Sequence, residues 1–170
     1  MVSKGFTRLS LLGVICMCLV PAASAEETDA GEDTAGAVFE HVSCRGSQNE
    51  IRVIVEGVKD GVGLMRADLY KNDENGFLKK AGQIKKVRFA ARAPATKFCI
   101  EAPASGNYAI AVYQDENANL TFDKKAFGLP AEPYGISNNP KLRFAPPTID
   151  QALFSVAEKD GATVVIELKN

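Results

Sequence analysis

From Asn49 onward apolar and polar side chains alternate with a period of two, the pattern of strands buried on one face. Ile51, Val53 and Val55 share one face, as do Met65, Ala67 and Leu69, with Arg66 and Asp68 opposite them. Lys59-Asp60-Gly61 lies between these runs and predicts a turn joining them as a hairpin. IKKVRFA and TKFCIEA follow on either side of Pro94, then NYAIAVY after Gly106, ALFSV, and ATVVIEL after Asp160-Gly161. NYAIAVY is apolar on both faces, which predicts a central strand. AVFEHVSC reads as a short edge strand that brings Cys44 alongside the core. No segment has helical periodicity, so about seven strands with intervening turns predict an all-β fold, a single-domain antiparallel β-sandwich over residues 37–170. A small barrel is the alternative closure.

The pattern breaks over residues 114–151, far beyond the usual connection of roughly 4–6 residues. Phe122, Phe127, Leu129, Tyr134, Ile136, Leu142, Phe144 and Ile149 recur through it, while Pro130, Pro133, Pro140, Pro146 and Pro147 stiffen it. This composition predicts one long ordered loop anchored on the sandwich.

The amino terminus alters the picture. Lys4 and Arg8 precede an apolar run from Leu9 to Val20 and then Ala23-Ser24-Ala25, the order of a secretory signal peptide spanning residues 1–25. That run falls short of the roughly 20 residues a membrane-crossing helix needs, so no membrane span is expected after cleavage. EETDAGEDTAG at 26–36 reads as a flexible acidic leader. A periplasmic or secreted location follows. Cys44 and Cys99 are the cysteines that remain after cleavage, and in an oxidising compartment they are expected to form a disulfide stabilising the fold by about 4 kcal/mol. Cys99 would face away from Phe98 and Ile100, toward the incoming Cys44.

Composition narrows the chemistry. The 170 residues are 46% hydrophobic and 24% charged, with Lys+Arg 20 against Asp+Glu 21, which excludes a disordered chain and a basic nucleic-acid binder. His41 is the one imidazole and no G-x-S-x-G elbow occurs, so a hydrolase is a minor alternative. Its acid–base groups would come from Asp115, Glu116, Asp123 and Glu132.

The loop opens with Asp115, Asn117, Asn119 and Asp123 at positions 1, 3, 5 and 9, the spacing of oxygens that converge on calcium. Thr121 would add its carbonyl at position 7. Leu120 stands where the turn wants Gly and Ala126 where a bidentate Glu belongs; Glu132 would supply that carboxylate if the chain folds back. The alternative is that Asp115, Asn117 and Asn119 make Asx-turns that reverse the chain. Further on, Tyr134, Asn138, Asn139, Lys141 and Arg143 offer an aromatic platform beside amide and cationic groups, suited to a small ligand, a glycan or an envelope protein. The plain alternative has Tyr134 anchoring the loop and Asn138-Asn139-Pro140 turning it.

The run YAIAVYQDENANLTFDKKAFGLPAEPYGISNNP, followed by FAPPTIDQALFSV, resembles an uncharacterised family of secreted bacterial proteins, domain-of-unknown-function family 2141. Members carry a YAiav-hDeNgNgklD stretch, then fGiP-EgygfSNN and a PPsF-like segment. The resemblance covers about Asn49 to Asn170, with Gln114 where a His is common and Leu120 where Gly is common. It implies a prealbumin-like β-sandwich in the envelope compartment and no established activity. The expectation is a non-enzymatic module that binds a ligand or partner through its long loop, with a structural envelope protein carrying a weak calcium loop as the alternative.

Overall fold

The computed structural model describes residues 44–141 and 145–169. The expected signal peptide, the expected acidic leader, the edge strand expected before Cys44, His41, Leu142, Arg143 and Phe144 lie outside the described residues. Eight strands are present among these: β1 (Glu50–Glu56), β2 (Leu64–Lys71), β3 (Gln83–Ala90), β4 (Ala95–Glu101), β5 (Gly106–Asp115), β6 (Tyr134–Ile136), β7 (Phe154–Val156) and β8 (Ala162–Glu167). They form two open sheets, β4-β1-β8 and β3-β2-β5-β6, with β7 pairing the beginning of β5. The chain is therefore an all-β sandwich, not a barrel.

The period-two faces meet between the sheets. Ile51, Val53 and Val55 of β1, Met65, Ala67 and Leu69 of β2, Phe98 and Ile100 of β4, and Val164 and Ile166 of β8 are buried in one core. Each large apolar side chain removed from water there contributes about 1.5–3 kcal/mol. Phe89 and Phe98 stack across it with ring centres 4.5 Å apart, joining the two sheets. β5 lies between β2 on one side and β6 and β7 on the other, the central place its two apolar faces predict.

Two expectations about strand pairing are corrected. β1 and β2 do not form a hairpin: β1 is flanked by β4 and β8, and β2 by β3 and β5, so their linker crosses from one sheet to the other. Gln114 holds that crossing, its Nε2 donating to the carbonyls of Asp60 at 2.8 Å and Val62 at 2.9 Å. The pairing of β1 with β8 is parallel, an exception in an otherwise antiparallel sandwich. It is made possible by Gly161, whose φ of +61° and close approach to the Glu50 carbonyl leave no room for a Cβ.

The long connection also contains structure that the alternation did not reveal. β6 pairs with β5, and a single helical turn, α1 (Ile149–Ala152), begins at a capping box in which Thr148 and Gln151 serve each other's backbone. Ile136, Ile149 and Ala152 pack with Tyr70, Phe77 and Ala109 into a second apolar cluster. That cluster anchors the loop. Phe127 and Leu129, expected as anchors, are instead exposed at 102% and 62%.

Cys44 and Cys99 are joined, with Cα atoms 5.4 Å apart, and Cys99 lies on the face of β4 opposite Phe98 and Ile100. Glu50 lies beside the bridge, but its carboxylate accepts the Arg45 and Gly46 amides at 2.7 and 3.2 Å. With both sulfurs bonded, this cluster offers no metal site. No helix among the described residues is long and apolar enough to cross a membrane.

Candidate functional site

The sheet register arranges side chains in rows on the outer face of β3-β2-β5-β6. Arg66 is aligned with Arg88 and with Tyr113, and Tyr113 with Tyr134. The next row places Lys86 beside Asp68, which is followed by Ala111 and Ile136; beyond it, Gln83 aligns with Tyr70. These residues alternate with the core residues of the same strands, so the burial of one face dictates the chemistry of the other.

Asp68 is the hub. It accepts Arg66 Nε through both oxygens, at 3.0 and 3.2 Å, and Gln83 Nε2 at 3.1 Å. Arg66 Nη2 donates to Gln83 Oε1 at 3.3 Å, and Gln83 Nε2 also reaches the Tyr70 hydroxyl at 3.4 Å. The guanidinium carbon of Arg66 lies 5.6 Å from the Tyr113 ring centre, within cation–π range. The Arg66 and Asp68 side chains are only 13% and 9% exposed.

Burial pushes the Asp68 carboxyl above its ordinary pKa, while Arg66, Lys86 and Arg88 pull it back down. Burial works against the Arg66 charge, yet Asp68 and Tyr113 hold it above its usual value. Burial likewise raises the Tyr70 and Tyr113 phenols. Arg88 is buried as well, and its Nε has no hydrogen-bond partner. Arg66, Lys86 and Arg88 thus share this face with Asp68.

A cavity of about 610 Å³ stands over this network. Arg66, Asp68, Tyr70 and Gln83 lie on its floor, and the long loop supplies its walls, with Phe122, Phe127, Leu129, Tyr134 and Pro146 among them. The Phe122 ring lies 4.9 Å from Tyr113 and 6.3 Å from Tyr134, making an aromatic corner. Pattern reading missed Arg66, Asp68, Tyr70, Gln83 and Tyr113 as site residues. The available signal was Arg66-x-Asp68-x-Tyr70 on the solvent-facing phase of a strand, which acquires meaning only once the loop covers it.

Of the loop residues expected to contact a ligand, Tyr134 lines the cavity and Lys141 is exposed beyond it. Asn138 and Asn139 turn to the fold instead. Asn138 Nδ2 donates to the Leu153 carbonyl at 2.5 Å, and Asn139 bonds the backbone of Val165 and Glu167. Ser137, beside them, accepts the Ile110 amide at 3.0 Å and donates to the Ala152 carbonyl at 2.6 Å.

The acidic turn is brought together. Asp115 accepts the amides of Asn119 at 3.0 Å and Leu120 at 2.7 Å, while Asn117 and Asn119 accept those of Asn119 and Thr121 as Asx-turns. Leu120 adopts φ 67°, the left-handed conformation that favours glycine. Asn117 and Asn119 each donate through Nδ2 to Asp123 Oδ2, at 2.8 and 3.0 Å. The chain then folds back: Lys124 bridges Pro130, and Asp123 offers its carbonyl to Ala131, which returns Glu132 to Asp123. Gln114 points to the 60–62 linker and so faces the sheet crossing.

The family model described as an uncharacterised protein conserved in bacteria, domain-of-unknown-function family 2141, matches residues 53–164. Neither a curated protein nor a solved structure matches the chain.

Proposed function

The chain belongs to this family of uncharacterised bacterial proteins, and from the site itself we propose that it is a non-enzymatic binding module acting outside the cytoplasm. Its ligand is a small acidic molecule with an apolar or sugar-ring body, held between the outer sheet face and the long loop. The observation that carries this reading is the Arg66–Asp68–Gln83–Tyr70 network, closed on itself at the floor of an aromatic-walled cavity. Polar groups fixed by one another present a rigid surface, which suits binding; groups so engaged are poorly placed to move protons. Arg66 and Lys124 both line the cavity, where Asp68 is the one carboxylate among the described lining residues. This favours an anionic group on the ligand. The secretory pattern of residues 1–25 and the disulfide support an extracytoplasmic location.

The test is saturation-transfer nuclear magnetic resonance on the full chain with glucuronic acid, N-acetylmuramic acid, indole-3-acetate, benzoate and glucose. At least one acid is expected to bind while glucose does not, and Tyr113→Ala should weaken binding about tenfold, the loss of one stacked contact. If no acid binds, or Tyr113→Ala leaves binding intact, the cleft is not the site. Chromogenic esters and glycosides should remain uncleaved; heat-sensitive hydrolysis would overturn the non-enzymatic reading.

A further inference from the structure

The floor of the cavity changes character from one side to the other, and strand register sets the change. On β2 it presents Arg66 and Asp68; across β5 and β6 the same two rows continue as Tyr113 and Tyr134, and as Ala111 and Ile136. From β2 to β6 the floor runs about 10 Å, two strand spacings, with its charges at one end and rings and aliphatic groups at the other.

The loop adds a cover that the fold itself does not use. Phe122 lies against the Tyr113 and Tyr134 rings. The backbone then makes a small excursion, closed at its base by the bridge between Lys124 and Pro130 and by the Lys125 amide, which donates to the Leu129 carbonyl at 2.7 Å. At its tip Phe127 and Leu129 line the cavity while most of their surface stays in water, which forgoes the stabilisation that burial of apolar area gives. Phe127 also holds φ 64°, a left-handed conformation that bulky residues rarely adopt. Gly128 follows at φ 75° with open space around the position of a Cβ, so nothing in the fold presses the tip into this shape. From the opposite connection Leu78, at φ 57° and likewise exposed, lines the same cavity. Three exposed apolar side chains, two of them on left-handed backbone, thus border one cavity. A sugar ring gains little from them, whereas an alkyl chain is buried by them.

Resting on the binding role proposed above, we infer that the ligand is a single-chain amphiphile, a carboxylic acid with an alkyl chain of about eight to ten carbons, the length that an extended chain needs to cross the floor. Its carboxylate lies toward Arg66 and Lys124, the cations among the described lining residues, and its alkyl chain lies across β5 and β6 beneath Phe127 and Leu129. Closure of the tip on the alkyl chain removes both from water together.

The full chain should be titrated calorimetrically with butanoate, hexanoate, octanoate and decanoate below their micelle concentrations. Affinity is expected to rise about threefold with each methylene, as burial of the alkyl chain requires. Decyltrimethylammonium, with the same alkyl chain and the opposite charge, should not bind. Phe127→Ala with Leu129→Ala should weaken decanoate about tenfold and benzoate less than twofold; both side chains are exposed, so the melting temperature should not fall. The chain contains no tryptophan, so Phe127→Trp gives a single emission that should shift to the blue when decanoate closes the tip. If benzoate or indole-3-acetate binds but affinity does not rise with alkyl length, the amphiphile inference is overturned and the binding role stands. If no acid of any length binds, both fail. Two further results overturn the inference: co-sedimentation with phosphatidylglycerol vesicles without binding of free decanoate, which makes the tip a membrane contact, and self-association abolished by Phe127→Ala, which makes it a contact with a second copy.

Discussion

The side chain of Asn139 treats Glu167 as a strand would: its Oδ1 receives the Glu167 backbone amide at 2.8 Å, while its Nδ2 returns a bond to the Val165 carbonyl at 3.0 Å. One side chain thus satisfies two edge groups of β8 and pins the long loop across the boundary between the sheets. Asn139 itself holds φ 49°, which asparagine tolerates better than most residues. Replacing Asn139 with Ala removes both bonds and is expected to cost about 1–3 kcal/mol in urea unfolding. Asn139→Asp keeps the acceptor but loses the donor and should fall between the two. A loss below 0.5 kcal/mol for Ala would mean that the β8 edge is held by other contacts.

Cys44 is tied to β4 through Cys99 and has no other regular pairing. Replacement of both cysteines by Ala is expected to lower stability by about 2–5 kcal/mol while leaving the cavity intact, since neither residue lines it. Denaturation of the double variant beside wild type, with thiol titration of exported protein, checks this. Free thiols in exported protein would contradict the pairing.

Asp68 yields a prediction about pH. Burial holds its carboxyl above the ordinary 3.8, so the folded protein keeps a proton that the unfolded chain has already released. Stability from this group therefore falls as pH rises from the ordinary carboxylate range through the raised folded value, and is level above it. Asp68→Asn does not titrate, so the advantage of wild type over this variant should shrink across that window. Urea unfolding of both at about pH 4 to pH 7 measures the difference. An advantage that grows with pH would mean that pairing with Arg66 outweighs burial.

Leu120 is strained where glycine would not be. Leu120→Gly is expected to stabilise the chain by about 0.5–1 kcal/mol, the left-handed penalty less the backbone entropy of glycine, because Leu120 packs little at 38% exposure. Thermal unfolding of the variant beside wild type measures the gain; a loss of stability would mean that the Leu120 side chain packs more than its exposure indicates.

The strands and core were legible because burial on one face writes itself into the sequence every second residue, as in Ile51, Val53 and Val55. Pairing was less so. Asp60-Gly61 signals a turn, but a turn does not say whether the next strand joins the same sheet, and here Met65, Ala67 and Leu69 face β1 across the core. β6 is three residues long, too short for a period to show, and it is set by Gly135, where a Cβ would collide with Ile166. The acidic turn was visible because its residues are neighbours in sequence. The cavity was not, because Arg66 and Gln83 meet only through strand register, and exposed Phe127 gains its place only from the loop above them.

The parallel partnership of β1 and β8 has a consequence for the order of assembly. β1 lies in the middle of its sheet, yet one of its neighbours arrives roughly 110 residues later, a contact of high sequence separation that makes folding slow. Until β8 is available, β1 keeps an open edge, and the core side chains of Val164 and Ile166 are missing from beneath it. A chain emerging from the ribosome cannot close this sandwich early. Such delay is consistent with the extracytoplasmic location proposed above, since a chain that closes its core late stays threadable for longer.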